Sequence, residues 1–128
     1  MKAHDLPSSF IGLPDLLVTP STTESEAAAA LRVLASFNRC MVGVIRFSGE
    51  TPWERHVEDE LLYVVEGEVD VTVLADHGAV EATIRQGSIF VVPKGLWHRQ
   101  RPRPVVSLLF LTPETGTEAS RANDPQPA

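Results

Sequence analysis

The sequence VDVTVLADHGAVEATI, residues 69–84, decides the fold class of this chain. Apolar and polar residues alternate from Val69 to Leu74 and again from Val80 to Ile84, as they do in strands with one buried face. The intervening Asp76-His77-Gly78 has the composition of a turn. The stretch therefore predicts an antiparallel β-hairpin that packs one face against a core.

Short apolar runs separated by turn residues continue this pattern on both sides of the hairpin. Further strands are predicted at Met41–Phe47, Leu61–Val65, Ser88–Val92 and Val105–Leu111, with turns at Glu66-Gly67-Glu68 and Pro93-Lys94-Gly95. Strands at such spacing are typical of an antiparallel sandwich or barrel. We therefore predict an all-β domain over residues 38–112.

The two ends of the chain differ from this domain in composition. Residues 1–37 predict an irregular N-terminal arm with one short helix, because Thr23 and Glu26 have capping-box spacing before an alanine-rich stretch that runs to Ala35. A strand over Leu31–Phe37 is the alternative. Residues 113–128 contain three prolines and few apolar residues, which predicts a disordered tail.

Composition limits the class of protein. A chain of 128 residues fits one domain. Its net charge of −6 argues against a nucleic-acid partner, which needs a concentrated basic surface. The single cysteine, Cys40, excludes an intrachain disulfide and a cysteine-based zinc site. The chain has no apolar stretch of membrane-spanning length, and its first ten residues do not read as a signal peptide, so we predict a cytoplasmic protein.

Three potential metal ligands share one strand parity. Glu54, His56 and Glu60 are all even-numbered, so on an extended chain they project to the same face. The aliphatic Leu62 and Val64 continue that face, which would bury the carboxylates. Since a buried carboxylate is unfavourable unless it is paired, hydrogen-bonded or metal-bound, the pattern indicates a functional cluster.

A second histidine can join this cluster from another strand. His98 follows the turn Pro93-Lys94-Gly95, which can bring its imidazole back from a neighbouring strand. Two imidazoles with one or two carboxylates suit a divalent metal such as iron(II), manganese, nickel or zinc. An open position on such a metal would admit substrate, dioxygen or water.

Residues 49–67 and 87–98 resemble the two sequence motifs of the cupin superfamily. His56, three residues, Glu60, six residues and Gly67 match the end of the first motif. Gly87, five residues, Pro93-x-Gly95, two residues and His98 match the second. The resemblance implies a jelly-roll β-barrel, often dimeric, and covers about residues 41–111.

The sequence departs from the family pattern at three places. Glu54 occupies the position of the first motif histidine, Gly49 is one residue closer to it than in the pattern, and Pro102 replaces the final asparagine. The family's metal set of three histidines and one glutamate is therefore altered. The resemblance implies His56, Glu60 and His98 as metal ligands, with Glu54 as a fourth ligand or a catalytic general base.

Four more residues are predicted to bind substrate. Trp53 and Trp97 flank the cluster in sequence, and an aromatic ring can stack on a ligand. Gln100 shares the parity of His98 and could donate to or accept from a ligand. Arg46 lies in a predicted strand and could neutralise an anionic substrate.

The leading functional hypothesis is a metal-dependent enzyme, with iron(II) as the preferred metal, that acts on a small molecule as a dioxygenase. One alternative is a non-catalytic barrel that binds a small molecule without metal. Another is a metal-independent isomerase that uses His56 and Glu54 as acid and base. The expected partners are a small-molecule ligand and a second copy of the chain, with no nucleic acid and no membrane.

Overall fold

The structure, a computed structural model, describes residues 1–125. Its helices are α1 at Leu6–Ser9 and α2 at Glu24–Ala30. Its strands are β1 Leu16–Leu17, β2 Leu31–Phe37, β3 Cys40–Ser48, β4 Trp53–Arg55, β5 Glu60–Ala75, β6 Gly78–Arg85, β7 Ile89–Val92, β8 His98–Pro113 and β9 Glu118–Ser120. Neither helix of these residues is long and apolar enough to cross a membrane.

The two longest strands, β5 and β8, form the centre of the sheet. They pair antiparallel from Leu61 opposite Leu111 to Val73 opposite His98. The far side of β8 pairs with β3, whereas β5 pairs with β7 along its first half and with β6 along its second half. The sheet curls, and the predicted all-β barrel is confirmed.

The hairpin that decided the fold class is present as β5 and β6. Val69 lies opposite Ile84, and Val73 lies opposite Val80. Val69 and Val71 are fully buried in the core, and burying one such side chain contributes about 1.5–3 kcal/mol. The alternation read from the sequence therefore assigns the correct residues to the core.

The turn predicted at Glu66-Gly67-Glu68 is wrong, because β5 continues through it as one strand. The pairing with β8 shifts register on both sides of this segment. Gly67 has a φ of 86°, and a Cβ there would lie 2.3 Å from the carbonyl oxygen of Val105. Glycine therefore makes a bulge in a continuous strand at this point instead of reversing the chain.

The N-terminal region is less irregular than predicted. The capping box of Thr23 and Glu26 is present, but the helix that it begins ends at Ala30 and not at Ala35. The alternative strand over Leu31–Phe37 forms and pairs with β3. Pairing with an exposed sheet edge overrides the helix propensity of this stretch. The boundary predicted between residues 37 and 38 falls inside the β2–β3 hairpin, so the arm shares the sheet of the barrel.

The C-terminal segment also differs from the prediction. Between Pro113 and Pro125 the chain is ordered, and its strand β9 pairs with β4. Arg55 reinforces this pairing by donating from Nη2 to Glu118 at 2.8 Å. Composition alone predicted a disordered tail because the segment has few apolar residues, whereas backbone pairing and one ion pair hold it. Residues 126–128 lie outside the described part.

Candidate metal centre and its cavity

Glu60 lies between two imidazoles inside the barrel. Its Oε1 is 3.1 Å from His98 Nε2, and its Oε2 is 3.4 Å from His56 Nε2. The exposed fractions are 6% for Glu60, 4% for His56 and 1% for His98. One ligand atom of each residue lies within 4.8 Å of the other two. The structure thus brings together the three residues that the motif match selects.

Three separate elements position these side chains. Glu60 begins β5 and His98 begins β8, whereas His56 follows the end of β4 at Arg55. The segment from residue 54 to residue 60 is therefore not one extended strand, as the parity argument assumed. A bend after β4 still returns Glu60 to His56, so the two side chains meet although the reasoning from parity was incomplete.

Two threonines that the sequence prediction missed hold this cluster. Thr112 donates its hydroxyl to Glu60 Oε2 at 2.5 Å, and Thr117 Oγ1 is 2.8 Å from His56 Nδ1. Thr112 shares the inward parity of Leu108 and Phe110 on β8, which is a signal that could have found it. Thr117 lies in the segment predicted to be disordered, and nothing in its local sequence indicates this role.

The charges of the cluster depend on one another. Burial alone would raise the pKa of Glu60, but the adjacent His56 and His98 outweigh it and lower this pKa to about 2. Burial alone would lower the pKa of His56, but the carboxylates of Glu60 and Glu54 outweigh it and raise this pKa. A cluster of this kind keeps a negative carboxylate in a buried position only because imidazoles surround it.

The donor set fits a divalent metal. His56 Nε2 and His98 Nδ1 are buried nitrogens without a hydrogen-bond partner among the described residues. If Nε2 of His56 binds a metal, Nδ1 keeps its proton and donates it to Thr117, which is the usual arrangement behind a ligating histidine. Two imidazoles and one carboxylate are borderline ligands that suit iron(II), manganese, nickel or zinc.

A cavity of about 710 Å³ opens beside the cluster. His56, Glu60 and Thr112 form part of its wall, whereas His98 lies behind Glu60 and does not line it. Helix α2 and the segment from Pro113 to Arg121 contribute the rest of the rim. The volume is within the range of small-molecule binding sites, so the cluster can meet a ligand there.

Glu54 and Gln100 also line this cavity. Glu54 lies opposite His98 in the pairing of β4 with β8, but it is not in the group of ligand atoms within 4.8 Å of one another. Burial raises the pKa of Glu54, and the negative charge of Glu60 raises it further. Glu54 is thus next to the three ligands without being one of their group.

Trp53, Trp97 and Arg46 do not line the cavity, and we do not propose them as substrate contacts. Trp53 lies under the Arg99 guanidinium, 4.3 Å from ring centroid to Cζ, and Trp97 lies under Arg55 at 4.6 Å. Arg46 donates to the hydroxyl of Ser107 at 3.2 Å and faces Asp15. Arg46 on β3 and Trp53 on β4 alternate with neighbours that line the cavity and so project away from it, whereas Trp97 lies just before β8 and outside any strand.

Comparison with known proteins agrees with this geometry. Residues 43–103 match the Cupin_2 family, described as the cupin domain. Among curated proteins, none matches the sequence. A cupin-2 domain containing protein from Shewanella frigidimarina has 26% sequence identity and a TM-score of 0.57, over 66% of this chain and 79% of that one.

Two further solved structures share the fold at lower identity. A protein from Neisseria meningitidis has 21% identity and a TM-score of 0.67, over 88% of this chain and 100% of that one. Hydroquinone 1,2-dioxygenase from Sphingomonas sp. TTNP3, solved with 4-hydroxybenzoate bound, has 18% identity and a TM-score of 0.56, over 66% of this chain and 65% of that one. These identities are evidence of a common fold alone.

Proposed function

This chain belongs to the cupin superfamily, and on that premise we propose that it binds a divalent metal and acts on a small molecule as a dioxygenase. The observation that carries the proposal is the buried set of His56, Glu60 and His98, of which His56 and Glu60 line a cavity of about 710 Å³. Two histidines and one carboxylate are the ligand set of non-haem iron(II) oxygenases. Iron(II) is therefore the metal we propose.

The bound metal would supply Lewis acidity and, as iron(II), access to dioxygen chemistry. The protein would hold it through His56, Glu60 and His98. Thr112 and Thr117 would fix the orientation of Glu60 and His56 through the hydrogen bonds described above. The sheet and the rim around them would exclude bulk water from the ligand atoms.

Glu54 is the proposed general base. Its carboxyl group lines the cavity beside the ligands, and its raised pKa increases its affinity for a proton taken from substrate. Gln100, which lines the same wall, is the proposed substrate contact. A dioxygenase from Sphingomonas has the same fold, so the fold is compatible with this reaction class, and the argument for it rests on the ligand set.

Reconstitution tests the proposal. Metal-free protein is loaded anaerobically with iron(II), and oxygen uptake is followed with a panel of small hydroxyl-bearing and keto compounds. We expect His98→Ala to lose both metal binding and oxygen uptake, because it removes a buried ligand. His77→Ala is the matched control, since His77 lies exposed in the β5–β6 turn. Oxygen uptake at the wild-type rate by His98→Ala would exclude the mechanism.

Metal content separates this proposal from its alternatives. Protein purified without chelator is measured by elemental analysis, and we expect close to one metal ion per chain. Less than about a tenth of an ion per chain would favour the non-catalytic binding protein. Isomerisation of a substrate that continues in the presence of chelator would instead favour the isomerase.

We also propose a homodimer. Val42, Leu111, Leu61 and Val91 lie in one register row across β3, β8, β5 and β7. The row carries no charge, and Val91 is 46% exposed. Since two copies with a net charge of −6 repel each other, an uncharged face suits their contact. Sedimentation should give a dimer, and Val91→Lys should give a monomer; a wild-type monomer would contradict the proposal.

A cytoplasmic location remains a prediction.

A further inference from the structure

Glu54 on β4 and Gln100 on β8 are polar side chains of the cavity wall that do not belong to the set of three ligands. Gln100 is 8% exposed, and its Oε1 is buried without a hydrogen-bond partner among residues 1–125. Within the same residues, the Glu54 carboxyl makes no hydrogen bond or ion pair, and only the charges of nearby groups act on it. Gln100 Oε1 is thus a buried acceptor without a partner, and Glu54, which is half-buried, adds a second acceptor beside it; a ligand that donates to them would bind well.

Strand pairing makes these two side chains neighbours. Glu54 lies opposite His98, and Gln100 is two residues further along β8, on the same inward face. The Gln100 backbone is anchored on both sides by Thr51, whose Oγ1 accepts from Gln100 N at 2.9 Å and whose N donates to Gln100 O at 2.9 Å. The strand pairing therefore brings the carboxyl and the amide to one patch of the wall, which we call the polar patch.

The rest of the cavity wall combines large apolar side chains, acidic groups and six threonines. Large apolar side chains line it, namely Leu31, Met41, Phe47, Leu62, Leu108 and Phe110. Glu24 and Glu114 add two acidic groups to Glu54 and Glu60. Arg121 is the one arginine or lysine on this wall among the described residues, and it is exposed at the rim. In the metal-free protein a carboxylate ligand would meet four acidic groups, of which Glu24 and Glu114 are exposed, against Arg121 and His56.

We propose that the cavity takes a largely apolar small molecule that carries a hydroxyl or amino hydrogen-bond donor and no carboxylate. The donor group binds to the polar patch of Glu54 and Gln100, and the apolar body packs against the aliphatic and aromatic wall. This inference names the substrate class of the proposed function and rests on it for the identity of the site. It also revises the expectation that Arg46 neutralises an anionic substrate, because Arg46 lies outside the cavity.

Three matched ligands test the substrate class by binding alone. Calorimetric titrations compare 4-methylphenol, which has a donor, with 4-methylanisole, which has none, and with 4-methylbenzoate, which is anionic. Chelator-treated protein is used first, and the titrations are repeated after adding Zn²⁺, which supports no redox turnover. In chelator-treated protein we expect 4-methylphenol to bind about tenfold more tightly than either of the others, and with Zn²⁺ bound it should keep its preference over 4-methylanisole. Equal or tighter binding of 4-methylbenzoate to chelator-treated protein, or no binding of 4-methylphenol up to about 10 mM in either state, would overturn the inference.

Variants of the polar patch test which side chains determine the preference among these ligands. Gln100→Leu should reduce the preference for 4-methylphenol over 4-methylanisole to about threefold or less, whereas Gln86→Leu, at an exposed glutamine, should leave it unchanged. Glu54→Gln should raise the affinity for 4-methylbenzoate relative to 4-methylphenol about threefold, whereas the exposed Glu58→Gln should not. If Gln100→Leu does not fold, Gln100→Met replaces it. Unchanged preferences in both patch variants would overturn the role of the patch.

The outcome is separable from that of the proposed function. Binding to chelator-treated protein needs neither metal nor turnover, so a metal-free or inactive protein can still show the predicted preference. Conversely, a protein that takes up iron(II) and oxygen can still prefer 4-methylbenzoate. A metal-free or inactive protein with the predicted preference would refute the dioxygenase but agree with the proposed substrate class. An active iron(II) protein that prefers 4-methylbenzoate after chelator treatment would refute the substrate class but agree with the dioxygenase.

Discussion

Two carboxylates on the same strand have similar partners and opposite surroundings. Glu60 at the start of β5 accepts a hydroxyl from Thr112 and lies between His56 and His98. Asp70, further along β5, accepts a hydroxyl from Thr83 at 2.7 Å. It also accepts from Arg103 Nε at 2.7 Å and faces Arg101 at 3.9 Å. The first set is enclosed in the barrel, and the second lies on its outer surface.

The difference shows why a lowered pKa alone does not identify a site. The hydrogen bond from Arg103 lowers the pKa of Asp70, and the two histidines lower that of Glu60 against the effect of burial. Guanidinium groups stay protonated and have no lone pair for a metal. An imidazole can lose a proton and then bind a metal through the freed nitrogen. Only the buried set combines a carboxylate, free nitrogen lone pairs and a cavity.

The largest expected effect comes from removing the buried charge. Glu60→Gln should weaken zinc binding at least about 100-fold, because the loss of a metal ligand reduces affinity more than the loss of a hydrogen-bond partner behind that ligand. It should also lower the stability of the metal-free protein by about 3 kcal/mol, since two buried imidazoles lose their counter-charge. Competition with a chelator and urea unfolding measure these effects, with exposed Glu58→Gln as the control. Zinc affinity within threefold of wild type would rule out Glu60 as a ligand.

A smaller effect should follow from loosening a ligand instead of removing it. Thr117→Val removes the hydrogen-bond partner of His56 Nδ1 and should weaken zinc binding about tenfold, and Thr117→Ser should restore it. Nitrogen chemical shifts of the His56 imidazole should report a changed tautomer in the valine variant only. Thr115→Val, at an exposed threonine of the same segment, is the control. An unaltered His56 spectrum in Thr117→Val would show that Thr117 does not orient this ring.

The smallest effect is expected at the surface carboxylate. Asp70→Asn should lower stability by only about 0.5–1 kcal/mol at pH 7 and leave zinc affinity unchanged. The folded pKa of Asp70 lies below its unfolded value. Its contribution is therefore present above the unfolded pKa and lost as the pH falls through the folded pKa. The difference between wild type and Asp70→Asn in urea should vanish in acid and shrink in about 1 M salt. A difference independent of salt and pH would mean that Asp70 acts by packing.

Much of the candidate site follows from local sequence because its spacing is short. His56 and Glu60 are four residues apart, and the turn Pro93-Lys94-Gly95 comes directly before His98. These short spacings do not depend on where a strand ends. His56 and Glu60 therefore lie close together even though the chain bends after β4. The residue that strand parity named, Gln100, lies on the cavity wall, and its contact with a ligand stays a prediction.

Other parts of the site depend on residues far apart in sequence. Thr117 is 61 residues from His56, and only the pairing of β9 with β4 brings them together. Trp53 was chosen by its proximity to Glu54 in sequence, but neighbouring residues on a strand face opposite sides. Arg46 was chosen for its charge in a predicted strand, which does not tell which face of the sheet it takes. The sequence left the choice between helix and strand open over Leu31–Phe37, because β2 is stabilised by pairing with β3 and not by its own propensity.

The sequence by itself determined the β class, the hairpin of β5 and β6, and the three residues of the buried cluster. It could do so because alternation and motif spacing are properties of about ten consecutive residues. Only the tertiary structure decided that Glu60 faces the cavity and Asp70 the outer side of the sheet, although both are even-numbered. The register shifts around Gly67 reverse the parity of β5 between them, and they arise where its backbone meets β8 too closely for a side chain.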